Sequence, residues 1–145
     1  MSNWHQRLIE LAAHVATWSK DPSSKIGAVV VGPDHEIRSS GFNGLARGIA
    51  DTEERLNNRE LKYKLIVHAE LNALLNAALI GVSTKGCDLY CSGLPPCLNC
   101  AKAIIQAGIV VVWIRDTPPV PERWADECKE AEALLIEAGV QVRRV

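Results

Sequence analysis

Long hydrophobic runs, a strong excess of either charge and a secretory leader are all missing from this sequence of 145 residues. No apolar stretch approaches the roughly 20 residues that cross a membrane, and the N-terminus has no signal-peptide pattern. The net charge of −1 gives no general attraction to long nucleic acids. We therefore expect a cytoplasmic protein with neither a membrane nor a long nucleic acid as its partner.

Internal repeats, low-complexity tracts and domain linkers are also missing from the sequence. Hydrophobic residues make up 48% of the chain and charged residues 23%, which is ordinary for a globular protein. A chain of this length can bury roughly two-thirds of its unfolded surface. The composition therefore predicts a single domain over residues 1–145.

The chain has five cysteines, an odd number that argues against a framework of disulfides. Without a secretory signal, such cysteines point to metal or catalytic use. Cys97 and Cys100 alone have the spacing of metal ligands. We interpret Cys87, Cys91 and Cys128 as ordinary buried or half-buried thiols, because free cysteine packs as a small hydrophobe.

Apolar periodicity and turn residues predict an alternation of helices and strands. We expect helices at residues 4–18, 69–80, 101–107 and 122–138, and strands at 26–31, 36–42, 88–92, 109–114 and 140–145. Between residues 43 and 67 we expect one exposed helix, because Asp51 and Glu54 resemble a capping box. A hairpin followed by alternating helices and strands indicates one mixed sheet with helices on its faces, an α/β domain.

Two short segments have the residue types and the spacing of a metal site: His68-Ala69-Glu70 and the run from Pro96 to Cys100. This pairing of H-x-E with P-C-x-x-C is the signature of zinc deaminases that act on nucleobases. One imidazole and two thiolates hold zinc and leave its fourth tetrahedral position open for water, as catalytic sites do. We therefore predict that His68, Cys97 and Cys100 bind one catalytic zinc ion.

Glu70 is the predicted catalytic residue of this site. It lies two residues from a ligand, so it can exchange protons with the zinc-activated water without binding the metal. Two alternatives are a structural zinc knuckle and a redox pair of cysteines. The first needs a fourth ligand, and the second leaves His68 and Glu70 without roles, so an enzyme is favoured.

Around these motifs the sequence resembles the deoxycytidylate deaminase family. The similarity runs through residues 19–28 (SKDPSSKIGA), 41–44 (GFNG), 68–73 (HAELNA) and 96–109 (PCLNCAKAIIQAGI). The resemblance implies the cytidine-deaminase-like fold, a three-layer α/β/α sandwich with a five-stranded mixed sheet and helices on both faces. It also implies a hydrolase that converts dCMP to dUMP and ammonia.

The resemblance further implies substrate contacts and an assembly. Asn43 matches the asparagine that holds the nucleotide near its sugar and base, and the stretch Ser23-Ser24-Lys25 matches the segment facing the 5′-phosphate. Ala69 is the remaining substrate-binding candidate. Further phosphate candidates lie in the long connection: Arg47, Arg55, Arg59 and Lys62. Family members that form hexamers regulated by dCTP and dTTP imply a homo-oligomer with possible nucleotide effectors of this kind.

Three features depart from the family pattern. The segment between Tyr90 and Pro96 is one residue longer than usual, and residues 115–121 lack the usual pattern, so the aromatic residue that stacks on the base cannot be transferred. Trp124 is a candidate for that role, although a tryptophan at a helix start often serves packing. The connection 43–67 contains neither cysteine nor histidine, which argues against a second, structural zinc.

Several functions remain open at this point. The leading hypothesis is deamination of dCMP. Another deaminase substrate is the main alternative: a modified cytosine nucleotide, cytidine, guanine or adenosine in transfer RNA. The remaining alternative is a zinc-binding module without catalytic activity. Apolar residues along the chain, such as Trp4, Trp18 and Trp113, suggest surplus apolar surface for the predicted homo-oligomer.

Overall fold

The computed structural model describes residues 3–115 and 119–145. Its helices are α1 (Trp4–Ala16), α2 (Glu53–Asn57), α3 (Arg59–Leu65), α4 (Ala69–Ile80), α5 (Leu98–Gln106) and α6 (Glu122–Glu137). Its strands are β1 (Gly27–Val31), β2 (Ile37–Phe42), β3 (Gly44–Leu45), β4 (Ile66–Val67), β5 (Asp88–Ser92), β6 (Val111–Ile114) and β7 (Gln141–Arg144). The predicted loop at 115–121 lies partly outside the described residues.

Five strands form one mixed sheet in the order β2-β1-β5-β6-β7. The strands β2, β1 and β5 are antiparallel neighbours, whereas β5, β6 and β7 run parallel. The hairpin of β1 and β2 is joined by a tight turn, and the parallel strands are joined through the helices α5 and α6. The predicted mixed five-stranded sheet is therefore confirmed.

Alternation along the strands divides the core between the two faces of the sheet. In β1, Val29 and Val31 face α1, where they pack with Tyr90 and Trp113. Ala28 and Val30 lie on the opposite face, in a cluster with residues of α4, α5 and α6 that includes Leu89, Cys91, Ile104 and Leu135. One helix on one face and three on the other give the predicted three-layer α/β/α sandwich.

The connection between β2 and α4 differs from its prediction. It contains two short helices, and a two-stranded bridge pairs β3 with β4. Thr52 caps α2 by accepting a hydrogen bond from the Arg55 N–H, so the predicted cap at Asp51 is wrong by one residue. Asn58 ends α2 and caps α3 through Leu61 N–H. An extended residue between the helices breaks the single helix that was predicted.

Helix α5 begins earlier than predicted, at Leu98, with Cys97 as its N-cap residue. Strand β6 is shorter than predicted and starts at Val111. The prediction that Trp113 contributes surplus surface is wrong, because this side chain is 9% exposed. It stacks on Tyr90, and its indole N–H donates to Asp88. No helix among the described residues is both long and apolar enough to cross a membrane.

Gly41 allows α4 to pack directly on β2. A Cβ atom at this position would lie 2.3 Å from the backbone N of Ala73 and 2.7 Å from the carbonyl O of Ala69. Because the clash is with helix backbone, neither partner can rotate away. The glycine therefore sets the distance between the sheet and the helix that begins beside His68.

We expect Gly41→Ala to lower the free energy of unfolding by about 3 kcal/mol, the upper part of the usual range for overpacking. Urea denaturation measures this change. The control is Gly44→Ala, where the added Cβ would meet only the Phe42 ring at 3.9 Å. Equal unfolding free energies for wild type and Gly41→Ala would show that α4 is free to shift.

Candidate active site

The three predicted zinc ligands converge at the starts of two helices. His68 is the N-cap residue of α4, Cys97 is the N-cap residue of α5, and Cys100 lies in the first turn of α5. The His68 Nδ1 atom is 3.4 Å from the Sγ atoms of both cysteines. Ligand atoms around a tetrahedral zinc with Zn–S and Zn–N bonds of ordinary length lie about 3.6 Å apart. The spacing therefore fits a zinc ion.

Local sequence explains why these side chains meet. The bridge strand β4 carries the chain to His68 in an extended conformation, and α4 starts at the next residue. The doubled proline before Cys97 favours an extended backbone, because the residue before a proline is restricted to that region. Cys97 is itself extended, at φ −82° and ψ 175°. One helical turn then brings Cys100 onto the same side as Cys97.

The charges of the ligands suit a dication. A hydrogen bond from the Cys100 thiol to the Cys97 sulfur lowers the pKa of Cys97 to about 4, and the same contact raises the pKa of Cys100. The hydrogen bond to the Cys97 sulfur raises the pKa of His68, and the charge of Glu70 adds to this effect. Negative charge that holds a proton on imidazole also attracts a metal ion. Thiolate and imidazole are the donors that zinc prefers.

Glu70 is the second residue of α4 and is 3% exposed. Burial raises the pKa of its carboxyl group, and the nearby His68 opposes this change only in part. Within residues 3–115 and 119–145, one group of metal-binding side chains occurs, and it consists of His68, Cys97 and Cys100 without Glu70. Glu70 therefore lies beside the metal site as a group able to carry a proton.

A cavity of about 300 Å³ opens onto this site, a size at the lower end for small-molecule pockets. His68, Glu70 and Cys97 line one part of it. Tyr63 from α3 and Trp124 from α6 also line it, with their ring centroids 5.8 Å apart. One polar part of the wall comes from the loop before β1, from the residue after β2 and from α3, through Asp21, Ser23, Ser24, Asn43 and Lys62. Asn99, Arg123 and Glu127 from α5 and α6 also line the cavity.

The structure places the predicted substrate residues in different surroundings. Ser23, Ser24 and Asn43 line the cavity. Ala69 is fully buried in the hydrophobic core. Lys25 lines a separate depression together with Arg115, and its ammonium group donates to the carbonyl of Ser19. Lys25 thus lies outside the cavity, on the other side of its segment, and its contact with the substrate stays a prediction.

Asn43 fixes the loop that forms the polar wall. Its Oδ1 accepts a hydrogen bond of 2.8 Å from the Ile26 N–H, and its Nδ2 donates one of 2.7 Å to the Ser24 carbonyl. The side chain is buried, with 3% of the residue exposed. Asn43 is thus more than a turn residue between glycines, because it holds the loop with Ser24 against the end of β2.

The four cationic phosphate candidates of the long connection differ in burial and in their position relative to the cavity. Arg47 and Arg59 are exposed, and Arg55 is half-buried, with its guanidinium bonded to the carbonyl of Ala50. Only Lys62 lines the cavity. In the sequence, Lys62 resembles the other three cations, and no signal singles it out.

Helix α6 brings the candidate Trp124 to the site, together with Glu127 and Cys128, which were not predicted there. Trp124, Glu127 and Cys128 line the cavity from its first two turns. The signal for this was the spacing of Trp124 and Cys128 with Ala131 and Leu135, one continuous face of the helix. The inner half of that face packs in the core, and the outer half reaches the cavity.

Comparison with known proteins gives the class of protein that this fold and site define. The family described as the cytidine and deoxycytidylate deaminase zinc-binding region matches residues 2–115, and the chain belongs to this family. It is a zinc-binding hydrolytic deaminase, and His68, Cys97 and Cys100 are the residues that would hold the ion.

Two related sequences and one related structure show which deaminases the chain is similar to. The chain is 38% identical over 149 residues to the deoxycytidylate deaminase of Homo sapiens, covering 97% of this chain and 79% of the human protein. An uncharacterized deaminase in the luxG 3′ region of Aliivibrio fischeri is 38% identical over 143 residues, covering 98% of this chain and 93% of that protein. The dCMP deaminase of the cyanophage S-TIM5, in complex with dCMP and dUMP, superimposes with a TM-score of 0.80 at 28% identity, covering 100% of this chain and 99% of that chain.

Proposed function

We propose that the chain catalyses the hydrolytic deamination of dCMP to dUMP with release of ammonia. The observation that carries the proposal is the cavity lined by the buried Glu70 and by His68 and Cys97, two members of the three-ligand group that Cys100 completes. The similarity to dCMP deaminases over nearly the whole chain supports the choice of substrate.

The roles of the residues follow from their positions. His68, Cys97 and Cys100 would hold zinc, which when bound supplies an acidified water at its open coordination position. Glu70 accepts a proton, holds it in a buried carboxyl group of raised pKa, and delivers it to the ring nitrogen of the base. The oxygen of that water forms the new bond to the ring carbon, and the same carboxyl group carries the second proton of the water to the amino group, so that the carbon–nitrogen bond breaks and ammonia leaves. Helix α4 fixes Glu70 next to His68, so no large movement is needed.

Ammonia release from a panel of substrates tests this proposal. The panel contains dCMP, deoxycytidine, cytidine, a modified cytosine nucleotide, guanine and transfer RNA. We expect the highest kcat/KM for dCMP. Efficient deamination of another member with none of dCMP would contradict the proposed substrate, and bound zinc without turnover of any member would indicate a non-catalytic module.

We also propose that the chain forms a homo-oligomer. Large apolar side chains are exposed on α4, where Leu75, Leu79 and Ile80 have exposed fractions of 52%, 70% and 62%. Trp18 is also 52% exposed. Surface of this kind often marks an interface between proteins. We expect sedimentation equilibrium at micromolar concentration to give a multiple of the chain mass, and the mass of one chain would contradict the proposal. Regulation by dCTP or dTTP stays a prediction.

A further inference from the structure

Glu127 is a carboxylate of the active-site cavity without a hydrogen-bond or ion-pair partner in the part of the chain that the structure describes. It is half-buried in the second turn of α6 and lines the cavity together with His68 and Glu70. Arg123, one turn before it on the same helix, lies over the Trp124 ring. A carboxylate that loses water without gaining a partner costs free energy. Its position therefore points to a partner that the ligand supplies.

The second turn of α6 lies beside the metal-binding side chains. The thiol of Cys128, the residue after Glu127, is 4.0 Å from the carbonyl O of Pro95, which lies two residues before the ligand Cys97. The hydrogen bond to the Cys97 sulfur is the main cause of the raised pKa of His68, and the charge of Glu127 adds to that rise. Glu127 is therefore close to the end of the cavity where the ligands converge.

The amino group of the substrate has to enter this end of the cavity. Deamination replaces the amino group on a ring carbon by oxygen, so that carbon must lie next to the zinc-activated water and Glu70. The amino group is bonded to the same carbon and offers two N–H donors, whereas a carboxylate offers acceptors only. A carboxylate at this place complements the amino group of the substrate and repels the ring oxygen that replaces it in the product.

We propose that Glu127 accepts a hydrogen bond from the amino group of the base and thereby makes the site prefer the amino substrate to the oxo product. This inference rests on the proposed deaminase function and assigns a further specificity-determining residue to it. Asn99 also lines the cavity, but its amide group both donates and accepts and so does not discriminate between an amino and an oxo group. With Glu127 as the acceptor for the amino group, Glu70 is left to exchange protons.

The test measures binding of dCMP and dUMP by calorimetry to zinc-loaded Glu70→Gln protein, in which dCMP is not turned over. This protein is compared with Glu70→Gln/Glu127→Gln and with the matched control Glu70→Gln/Glu130→Gln, since Glu130 is an exposed carboxylate three residues further along α6. We expect Glu127→Gln to lower the ratio of the Kd for dUMP to the Kd for dCMP about 10-fold or more. The reason is that glutamine loses the charge-assisted hydrogen bond to the amino group, and its N–H group donates to the oxo group. The control should leave the ratio unchanged.

Glu127→Ala separates a contact with the base from a structural role. Alanine has neither a donor nor an acceptor, so in the same background it should weaken dCMP binding without tightening dUMP binding as glutamine does. Helix α6 keeps its packing through Ala131 and Leu135, which are buried in the core, so zinc content and far-ultraviolet circular dichroism should stay at the parent values. An unchanged Kd ratio in Glu70→Gln/Glu127→Gln, or an equal loss of affinity for both nucleotides, would overturn the proposal.

Turnover by proteins that retain Glu70 separates this inference from the proposed function. Wild type should release ammonia from dCMP, and Glu127→Gln should do so with a kcat/KM about 10- to 100-fold lower and with stronger inhibition by dUMP. If wild type deaminates dCMP and Glu127→Gln keeps the wild-type kcat/KM, the specificity role fails while the reaction stands. If wild type does not deaminate dCMP but the Kd ratio depends on Glu127 as expected, the proposed reaction fails while recognition of the amino group stands.

Discussion

Glu70→Ala is expected to lose nearly all turnover of dCMP while it keeps its zinc. The expected fall in kcat is about 10⁴-fold, at the upper end of what one positioned acid–base group contributes. The reason is that this carboxyl group takes part in several successive proton transfers, so its removal affects each of them. Steady-state ammonia release, with zinc measured on the same preparation, checks both halves of the prediction.

The structure explains why metal and fold should survive this substitution. Glu70 lies outside the group of three converging ligand atoms, and its neighbours Ala69 and Ala73 keep α4 packed in the core. Glu70→Gln preserves the shape of the side chain and removes only its ability to exchange protons, so it should lose turnover as well. Glu130→Ala removes an exposed carboxylate from α6 and serves as the control with wild-type turnover.

Binding separates a catalytic role of Glu70 from a structural one. The Glu70→Gln protein should bind dUMP within about 10-fold of wild type, because Glu70 is only one of the many side chains that line the cavity. A Glu70→Ala protein that retained more than about a tenth of wild-type turnover would show that another group moves the protons.

The zinc site was predictable because its geometry is local. His68 and Glu70 lie two residues apart at a helix start, and Cys97 and Cys100 lie one turn apart at another. Both helices follow from short-range signals, and the predicted alternation of helices and strands packs them on one face of the sheet. Only the proximity of the two helix starts depends on tertiary structure. It was inferred because a catalytic zinc needs three protein ligands.

The polar wall of the cavity was less predictable, because it depends on which side each residue faces. In the segment before β1, Ser24 and Ile26 line the cavity whereas Lys25 lines the depression on the other side. This alternation with a period of two is visible only once the pairing of β1 is known. The family resemblance therefore pointed to a segment that lines the cavity, but it could not show that Lys25 lies on the other side of this segment.

Lys62 shows a second limit of sequence reasoning. The connection 43–67 is rich in charge and lacks a clear apolar period, so each of its cations looks like surface. Burial of this one lysine follows from the two short helices, which turn α3 towards the loop containing Asp21. No local pattern distinguishes it from Lys64 in the same helix, which is exposed.

Substitution of a predicted zinc ligand should remove metal and activity together, in contrast with Glu70→Ala. Wild type is expected to carry one zinc per chain. We expect His68→Ala and Cys97→Ala each to retain less than about a tenth of that zinc and no measurable turnover, because two protein ligands rarely hold a tetrahedral metal firmly. Elemental analysis after dialysis, with ammonia release on the same samples, measures both quantities.

Loss of zinc in these variants should not result from unfolding. The His68 side chain is exposed and makes no capping hydrogen bond for α4, so alanine at this position removes no core packing. Cys97 is only half-buried at the start of α5. Far-ultraviolet circular dichroism of both variants should therefore match that of wild type. If a variant melts at a lower temperature than wild type, its melting temperature should equal that of wild-type protein from which zinc has been removed.

The matched control is Cys128→Ala. Cys128 lines the same cavity and is half-buried, but it lies outside the group of three ligand atoms. Its thiol contacts the Pro95 carbonyl at 4.0 Å. We expect this variant to keep one zinc per chain. Zinc loss in Cys128→Ala equal to that in Cys97→Ala would make Cys128 a fourth ligand, and such a closed site would have no open position for water and no deaminase chemistry.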